Sequence, residues 1–258
     1  MKVLLVGDVV GAVGRKMVAD HVLRIKKEEK IDLVVCNGEN SAHGKGITKK
    51  IYAQLLNNGV DVITMGNHTF SKKNLEEVID EMDQMVRPAN MLPLEFGKGC
   101  RVVEVNQKKV AITNLIGEVF MVNCTESPFD TMEKILNEID ADIHIVDLHA
   151  EATSEKIAFT YEFAQRCSII VGTHTHVQTA DERIVDDHCA AITDLGMCGP
   201  YHSVIGRDVD EVLRRFKNKE HTRFTIAEGK GIFCGCIVEI DDDTNKAVSI
   251  KRVQMKEQ

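Results

Sequence analysis

The sequence predicts an α/β protein in which a mixed β-sheet, or a pair of packed β-sheets, is flanked by helices. Short apolar runs alternate with helical patterns in the N-terminal part of the chain, as in strand–helix repeats. Farther along, strand-like runs are joined by short polar turns, which is typical of hairpins. The chain has 258 residues, 43% of them hydrophobic, and no linker-like stretch, so we expect a single domain over residues 1–258.

Three strand–helix units make up the N-terminal part. The strands are short, continuous apolar runs typical of buried parallel strands, and they are predicted at residues 2–7, 33–37 and 60–65. The helices have apolar residues at helical spacing, and they are predicted at residues 15–30, 48–58 and 72–82. Thr48 is suited to cap the second helix and Gly59 to end it.

The rest of the chain mixes hairpins with further strand–helix units. Strands are predicted at residues 101–106, 109–115, 142–148, 168–172, 189–194, 223–226, 231–240 and 247–254. Helices are predicted at residues 127–139, 154–167 and 208–217. Gln107 and Lys108 form the predicted turn of the first hairpin, and Pro128 suits the first position of a helix.

The composition argues against several classes of protein. The net charge of -8 and the pI near 5.7 leave no general electrostatic surface for duplex nucleic acid. A small anionic substrate would instead need a local positive centre, for which a metal is the natural candidate. No apolar stretch approaches ~18 residues, so no membrane span is expected. The eight cysteines form no C-x-x-C pair and no signal-peptide pattern is present, which predicts a cytoplasmic protein.

Residues that can bind metals follow five of the predicted strands. In chain order they are Asp8, Glu39, Asn40, Asn67, His149, His174 and His176. Parallel strands place their carboxyl ends at one edge of a sheet, which is where ligands of open α/β sheets bind. A glycine precedes Asp8, Glu39 and Asn67 and permits close approach of the backbone. One such residue alone is usually a turn former or a surface side chain. Residues of this kind after five strands, at one edge of the sheet, predict a metal centre.

The ligand types indicate the class of metal. Carboxylate, amide oxygen and imidazole without thiolate suit borderline-to-hard ions such as iron, manganese or zinc. His174 and His176 are two residues apart, so an extended backbone would direct both to one side, within reach of adjacent metals. Glu39 supplies the carboxylate that could bridge two ions. These residues therefore predict a site for two metals.

Motifs of three other classes are missing from the sequence. Gly7, Gly11 and Gly14 follow a predicted strand, but their spacing is not the G-x-G-x-x-G of dinucleotide-binding proteins. The chain also lacks the G-x-x-x-x-G-K-[ST] pattern of P-loop proteins. It has no G-x-S-x-G pattern, so a serine hydrolase of that kind is not supported either.

The Gly66-Asn67-His68 block resembles the calcineurin-like metallophosphoesterase superfamily. Two positions depart from the usual pattern, since Val10 stands in place of a metal-binding histidine and Glu39 in place of an aspartate. These departures match the bacterial YmdB-like family, which the chain resembles along essentially its whole length. The matching stretches are residues 7–11, 37–40, 64–69, 147–156, 172–181 and 193–197.

The resemblance implies two packed mixed β-sheets flanked by helices and an enzyme that hydrolyses cyclic nucleotides. The first metal would be bound by Asp8, Glu39, Asn40 and His176. The second would be bound by Glu39, Asn67, His149 and His174. His68 would be the general acid, protonating the leaving oxygen as a hydroxide held between the metals attacks phosphorus. Two ions are expected, iron first and manganese second, with 2',3'-cyclic nucleotides as substrates and 3',5'-cyclic nucleotides as a second class.

Two other functions stay open. A phosphomonoesterase or nucleotidase could use the same metals, because selectivity lies in the shape of the pocket. A regulatory protein could bind a cyclic nucleotide with weak turnover, although binding alone would not require both metals and His68. We expect no membrane partner, and self-association is left open. His43, Lys45 and the glycine-rich residues 193–199 are given no role.

Overall fold

Two β-sheets pack face to face, and helices cover their outer faces. The computed structural model describes residues 1–257. Both sheets contain parallel and antiparallel strand pairs, so the predicted α/β class with two packed mixed sheets is confirmed. The core between the sheets consists mainly of Val, Ile and Leu side chains from both, among them Leu5, Val35, Ile112 and Ile145.

Fourteen strands and five α-helices occur within residues 1–257. The strands are β1 (Lys2–Val6), β2 (Asp8–Val9), β3 (Leu33–Asn37), β4 (Val62–Thr64), β5 (Met85–Val86), β6 (Cys100–Val105), β7 (Lys108–Ile116), β8 (Ile143–His149), β9 (Ile169–Thr173), β10 (Arg183–Val185), β11 (Cys189–Ile192), β12 (Met197–Pro200), β13 (Gly231–Ile240) and β14 (Ala247–Lys256). The helices are α1 (Gly11–Glu28), α2 (Lys49–Asn57), α3 (Pro128–Glu138), α4 (Thr153–Phe163) and α5 (Val209–Asn218).

Parallel strands form the centre of the second sheet and extend to the β5 edge of the first sheet. The first sheet has the order β2-β12-β13-β1-β3-β4-β5, and β14 also pairs with β13. Its strands β1, β3, β4 and β5 are parallel. The second sheet has the order β10-β11-β9-β8-β7-β6, with β7, β8, β9 and β11 parallel. The carboxyl ends of each parallel set therefore lie at one edge, as the sequence predicts.

Helices α1–α4 cover the sheets, and α2 and α3 begin where the sequence places their starts. Helices α1 and α2 pack on the first sheet, and α3 and α4 pack on the second, where Phe159 and Phe163 are fully buried. At the start of α2, the Thr48 hydroxyl accepts a hydrogen bond from the N–H of Ile51. Pro128 is the first residue of α3. Both predicted helix starts are confirmed.

The helix predicted over residues 72–82 is wrong. The segment consists of turns and contains one short 3-10 turn, Ile79–Glu81, and another, Thr69–Ser71, directly precedes it. Leu75 and Met82 are buried, so the apolar spacing in this segment arises from burial and not from a helix. The left-handed backbone of Asn74, at φ 65°, interrupts a helix at this point.

The short strands are the other elements that the sequence does not predict correctly. The strand predicted at residues 223–226 is wrong, because within it only Ile226 pairs, in an isolated bridge with Arg207. Strands β2, β5, β10 and β12 are not predicted, since two to four residues are too few for a periodic pattern. The first hairpin turns at Asn106 and Gln107, both left-handed, one residue before the predicted turn.

Thiols and helices agree with the expectations from composition. Within residues 1–257, every helix is too short or too polar to cross a lipid bilayer. The eight cysteines are free thiols, and six of them are buried. Burial raises the pKa of the Cys234 thiol to about 11, so this side chain stays protonated and behaves as a small apolar residue.

Candidate metal centre

The predicted metal-binding residues lie together where the carboxyl ends of the two parallel strand sets meet. By element they are Asp8 in β2, Glu39 and Asn40 after β3, Asn67 after β4, His149 at the end of β8, and His174 and His176 after β9. The buried ones are Asp8, Glu39, Asn40 and His149. The other three are partly exposed, so the centre is reached from solvent on their side.

One group of these residues surrounds the His176 imidazole. Its Nε2 lies 3.1 Å from Nδ2 of Asn40 and 3.8 Å from Oδ1 of Asp8. Its Nδ1 lies 2.9 Å from the carbonyl oxygen of Ile205, which assigns the ring proton to Nδ1. The lone pair of Nε2 therefore faces Asp8 and Asn40. Asn40 presents its amide nitrogen here, so its oxygen would face an ion only after the amide turned over.

A second group surrounds the buried His149 imidazole. Its Nε2 lies 2.9 Å from Oδ1 of Asn67, 3.1 Å from Nδ1 of His174 and 3.2 Å from Oε1 of Glu39. Ligand atoms of Glu39, His149 and His174 all lie within 4.8 Å of one another. Three ligand-type atoms around one imidazole nitrogen form the arrangement expected of side chains that face a common ion.

Glu39 lies between the two groups. Its Oε1 accepts a hydrogen bond from Asn40 at 2.9 Å and also contacts His149. Its Oε2 accepts the backbone N–H of His68 at 2.9 Å. This carboxylate touches a member of each group, which is the position expected of a bridging ligand.

The buried carboxylates make the centre attractive to positive charge. Burial raises the pKa of Asp8 to about 6, although His176 and His149 partly offset this effect. Burial alone would lower the pKa of His149, but the Glu39 carboxylate outweighs it and raises the pKa to about 9. Burial, together with His149, lowers the pKa of His174 to about 3. The carboxylates that favour a protonated His149 would likewise favour a cation at this place.

The residues fit a metal at this place. Oδ1 of Asp8 is buried and accepts no hydrogen bond within residues 1–257, which costs free energy unless a ligand satisfies it. Oδ2 of Asp8 accepts the N–H of His174 at 3.1 Å. A Cβ on Gly66 would lie 2.5 Å from Oε2 of Glu39 and from Nε2 of His149, so glycine allows the close approach that the sequence predicts. Carboxylate, amide and imidazole donors suit borderline-to-hard divalent ions.

The backbone that carries the two histidines is not extended, which corrects the sequence prediction. We call residues 174–176 the histidine turn. His174 and His176 are both left-handed, at φ 104° and φ 66°, a conformation that is rare and strained for residues other than glycine. The turn directs His174 to His149 and His176 to Asn40. The two side chains therefore reach different groups, as predicted, but through a strained backbone.

A hydrogen-bond network beneath the centre is missing from the sequence analysis. Nδ1 of His149 lies 2.9 Å from the Thr173 hydroxyl, which donates to Oδ1 of Asp147 at 2.7 Å. The other oxygen of Asp147 accepts from Asn37 at 3.0 Å and Thr64 at 2.5 Å, both in the first sheet. This carboxylate ties the sheets together and orients His149. Polar residues inside otherwise apolar strands are the sequence signal that could have revealed this network.

Residues 203–207 also lie against the centre, and the sequence gives no sign of it. The Ile205 carbonyl contacts His176, as described above. Arg207 donates to the Gly44 carbonyl at 3.3 Å, and the Gly44 N–H donates to the Asn40 carbonyl at 3.1 Å. Arg207 makes no ion pair within residues 1–257. Its guanidinium therefore keeps free donors next to the loop that carries Asn40.

Two cationic side chains influence His68. Burial lowers the pKa of His68, Glu39 opposes this effect, and the charges of Lys45 and Arg207 reinforce it. Both charges thus add to the positive potential at His68. Nδ1 of His68 lies 3.4 Å from the Ser71 hydroxyl, which leaves Nε2 for other partners.

The remaining unassigned residues behave differently. His43 is exposed and left-handed, at φ 55°, in the loop after β3. Residues 193–199 are buried and run into β12, which pairs in parallel with β2, where Met197 lies opposite Asp8. This segment therefore supports the strand that carries Asp8.

The chain is similar to known proteins over nearly its whole length. The sequence profile described as YmdB-like protein matches residues 4–253. A 2',3'-cyclic-nucleotide 2'-phosphodiesterase from Bacillus subtilis (strain 168) is 46% identical over 255 residues, which cover 98% of this chain and 96% of that protein. The crystal structure of a novel phosphatase from Mycoplasma pneumoniae has a TM-score of 0.95 at 39% identity, covering 99% of this chain and 93% of that one.

A more distant structure shares the fold alone. A 5'-nucleotidase precursor from Thermus thermophilus has a TM-score of 0.53 at 13% identity. The match covers 99% of this chain and 54% of that one. The two-sheet architecture is thus common to proteins whose sequences have diverged widely, so function has to be argued from the site.

Proposed function

Because the chain belongs to the YmdB-like family, we propose that it opens 2',3'-cyclic nucleotides at a centre of two metal ions. It is a metal-dependent phosphoric diester hydrolase, the class of its Bacillus subtilis relative. The division of the candidate ligands into two groups that share Glu39 is the observation that carries the proposal. We include 3',5'-cyclic nucleotides as a second class of substrate.

The proposed ligands follow the contacts between the side chains. The first ion is assigned to Asp8, Glu39, Asn40 and His176. The second ion is assigned to Glu39, Asn67, His149 and His174. Contacts of 2.9–3.8 Å around His176 and His149 support this division. Iron is expected first and manganese second, since the donor set suits both. When bound, the two ions would activate a water molecule and offset the charge that develops on the phosphate.

His68 is the proposed general acid. Its backbone N–H is fixed to Glu39, and its ring is partly exposed beside the centre. Burial lowers the pKa of His68 in the protein alone, but a bound phosphate anion would raise it and favour the protonated ring. The ring would then give its proton to the ribose oxygen as the bond between that oxygen and phosphorus breaks.

Arg207 and Lys45 are the proposed contacts for the substrate phosphate. The chain as a whole repels anions, at a net charge of -8, so local cations matter for substrate capture. Within residues 1–257, the Arg207 side chain has one hydrogen bond, of 3.3 Å, to a carbonyl oxygen, and its guanidinium lies 5.8 Å from the centre of the Phe224 ring. Its remaining donors can form paired hydrogen bonds with a phosphate.

The test is turnover of 2',3'-cyclic AMP by the purified protein, with metal analysis, beside Glu39→Gln. Glutamine keeps the size of the side chain and removes the charge that both ions would share. Hydrolysis with about two bound ions per chain, both lost in the variant, is expected. Glu104→Gln is the control, because Glu104 is an exposed side chain in β6 and should change neither quantity.

Each alternative outcome points to a different function. Full metal occupancy without hydrolysis of the cyclic nucleotide, but with release of phosphate from a 5'-nucleotide, would favour a phosphomonoesterase. A His68→Ala variant that still binds the cyclic nucleotide and still has the effect of the wild-type protein in the cell would favour a regulatory protein. Absence of metal after growth with iron and manganese would contradict the assigned ligands.

Two broader predictions are also proposals. A single domain over residues 1–258 is supported by the central core, because side chains from both sheets fill it and neither sheet could bury its inner face alone. A cytoplasmic location is supported by the eight free thiols, which suit a reducing compartment.

A further inference from the structure

A buried ion pair lies behind the histidine turn. Lys156 of α4 and Asp194, which follows β11, are 3% and 0% exposed, and Nζ lies 2.9 Å from Oδ2. Moving two charges out of water is costly, and their mutual attraction roughly offsets that cost, so such a pair adds little net stability. The pair therefore matters less for the stability of the fold than for the backbone groups that it positions.

The pair holds the peptide bonds on both sides of His174. The Lys156 ammonium donates to the carbonyl oxygen of Thr173 at 2.8 Å, and that carbonyl belongs to the peptide before His174. Oδ2 of Asp194 accepts the N–H of Thr175 at 3.0 Å, and that N–H belongs to the peptide after His174. The left-handed conformation of His174 is thus fixed from both directions.

The same carboxylate reaches the strand that carries Asp8. Oδ1 of Asp194 accepts the N–H of Gly196 at 2.8 Å. The Gly196 carbonyl accepts the N–H of Asp8 at 3.0 Å, and Oδ2 of Asp8 accepts the N–H of His174 at 3.1 Å. The Asp194 carboxylate therefore connects the histidine turn with the backbone of Asp8 through hydrogen bonds to backbone groups. These contacts reach ligands from both groups of the centre.

The backbone beside the pair leaves room for the lysine. A Cβ on Gly172 would collide with the carbonyl oxygen of Thr193 and would lie 2.8 Å from Cδ of Lys156. Glycine at this point of β9 lets the Lys156 side chain pass close to the strand and reach Asp194. The pair is thus built into the strand that leads to the histidine turn.

We propose that the Lys156–Asp194 pair is a positioning device that holds the histidine turn and Asp8 in the arrangement that binds metal. This inference rests on the proposed function, since it concerns the assembly of the same centre. Neither residue touches the substrate. Without the pair, the strained turn relaxes and its ligands no longer face one another before an ion arrives. Metal binding is weakened, while the fold is retained.

The experiment measures Mn²⁺ binding to metal-free protein by calorimetry. The variants are Lys156→Met, Asp194→Asn and the double variant, with Lys26→Met and Asp61→Asn as the matched control pair. Lys26 and Asp61 also form an ion pair, at 2.8 Å, but at the opposite end of the first sheet. The double variant should bind Mn²⁺ about 10–100-fold more weakly, the usual cost of losing a group that orients ligands. The control pair should bind it as the wild type does.

A second readout separates positioning from general support of the fold. In the double variant, excess Mn²⁺ should restore turnover, because every group that touches substrate is intact. Unchanged Mn²⁺ affinity in the double variant would overturn the proposal, as would weak binding without rescue by excess metal. If the double variant does not fold, Asp194→Asn alone, which keeps the shape and one acceptor, gives the same measurement. Absence of Mn²⁺ binding by the wild type would instead contradict the proposed function.

Discussion

The two ends of the parallel strands use aspartate in different ways. At the amino ends, Asp32, Asp61 and Asp142 each precede a strand and accept hydrogen bonds at 2.7–2.8 Å from the backbone N–H groups of Lys2, Val34 and Lys109, respectively. Each aspartate also donates its own N–H to the carbonyl of the same partner. At the carboxyl ends, Asp8 keeps one buried oxygen without a hydrogen bond within residues 1–257.

The difference shows what distinguishes a structural carboxylate from a candidate ligand. A backbone N–H cannot leave its place, so Asp32, Asp61 and Asp142 are committed to joining strands. Glu39 uses Oε2 for the backbone N–H of His68, but its Oε1 contacts the side chains of Asn40 and His149, which can turn or lose a proton when an ion arrives. The chemical type of the residue is the same at both ends. The position of the carboxylate relative to the strand decides whether its oxygen lone pairs stay available to an ion.

The largest effect is expected when one aspartate at each end of the parallel strands is replaced by asparagine. Asp8→Asn should lower kcat/KM for the cyclic nucleotide by about 10²–10³-fold, the scale of losing one preorganised polar group in an active site. Asp32→Asn should leave kcat/KM unchanged, because Asp32 only joins two strands. Initial rates with Mn²⁺ present measure kcat/KM for both variants. Similar losses in the two variants would contradict the distinction between the ends.

The stability of the metal-free protein should depend on pH through Asp8. The pKa of Asp8 is raised from 3.8 to about 6, mainly by burial, so its contribution is fully present below pH 3.8 and is lost as the pH rises through 6. Between pH 4 and 8, metal-free wild type should lose up to about 3 kcal/mol of unfolding free energy relative to Asp8→Asn. Urea unfolding at several pH values measures this. Parallel pH profiles for the two proteins would refute it.

A smaller effect is expected from the cations. Arg207→Gln should raise KM about tenfold, because hydrogen bonds to charged groups contribute ~1.5–3 kcal/mol. The metal content should not change, since Arg207 contacts none of the candidate ligands through its side chain. Lys26→Met, at the other end of the first sheet, is the control and should keep the wild-type KM. A change in kcat with constant KM would argue against a phosphate contact.

The smallest effect is expected from Asp61→Asn. The variant should lose about 1 kcal/mol of unfolding free energy, the typical net contribution of a hydrogen bond. The thermal midpoint should then fall by roughly 2–4 °C for a protein of this size, with kcat/KM unchanged. Calorimetry of the metal-free protein measures the midpoint. A loss of turnover in this variant would mean that the two ends are coupled.

The candidate site is easier to predict from sequence than the connections around it. Asp8, Glu39 and Asn67 each follow an apolar run and a glycine, so a few adjacent residues carry the signal. Their convergence then follows from parallel strands, without knowledge of the loops. Their binding of metal stays a prediction. The helix predicted at residues 72–82 fails because burial of an irregular segment produces the same apolar spacing as a helix.

The supporting contacts are not predictable, because they join distant parts of the chain. Lys156 and Asp194 are 38 positions apart, and no local pattern pairs them. The strained backbone of the histidine turn is likewise imposed by tertiary hydrogen bonds, whereas local preference alone favours an extended chain. Arg207 belongs to a segment without periodicity, so only the folded chain brings it to the centre.

The candidate ligands come from both sheets, so the complete set exists only where the two sheets are docked. Asp8, Glu39 and Asn67 come from the first sheet, and His149 and His174 come from the second. A chain in which only one sheet has formed has an incomplete set, so it cannot capture ions tightly. An ion bound there as proposed would bind only the docked pair of sheets, and it would therefore stabilise their docking by mass action.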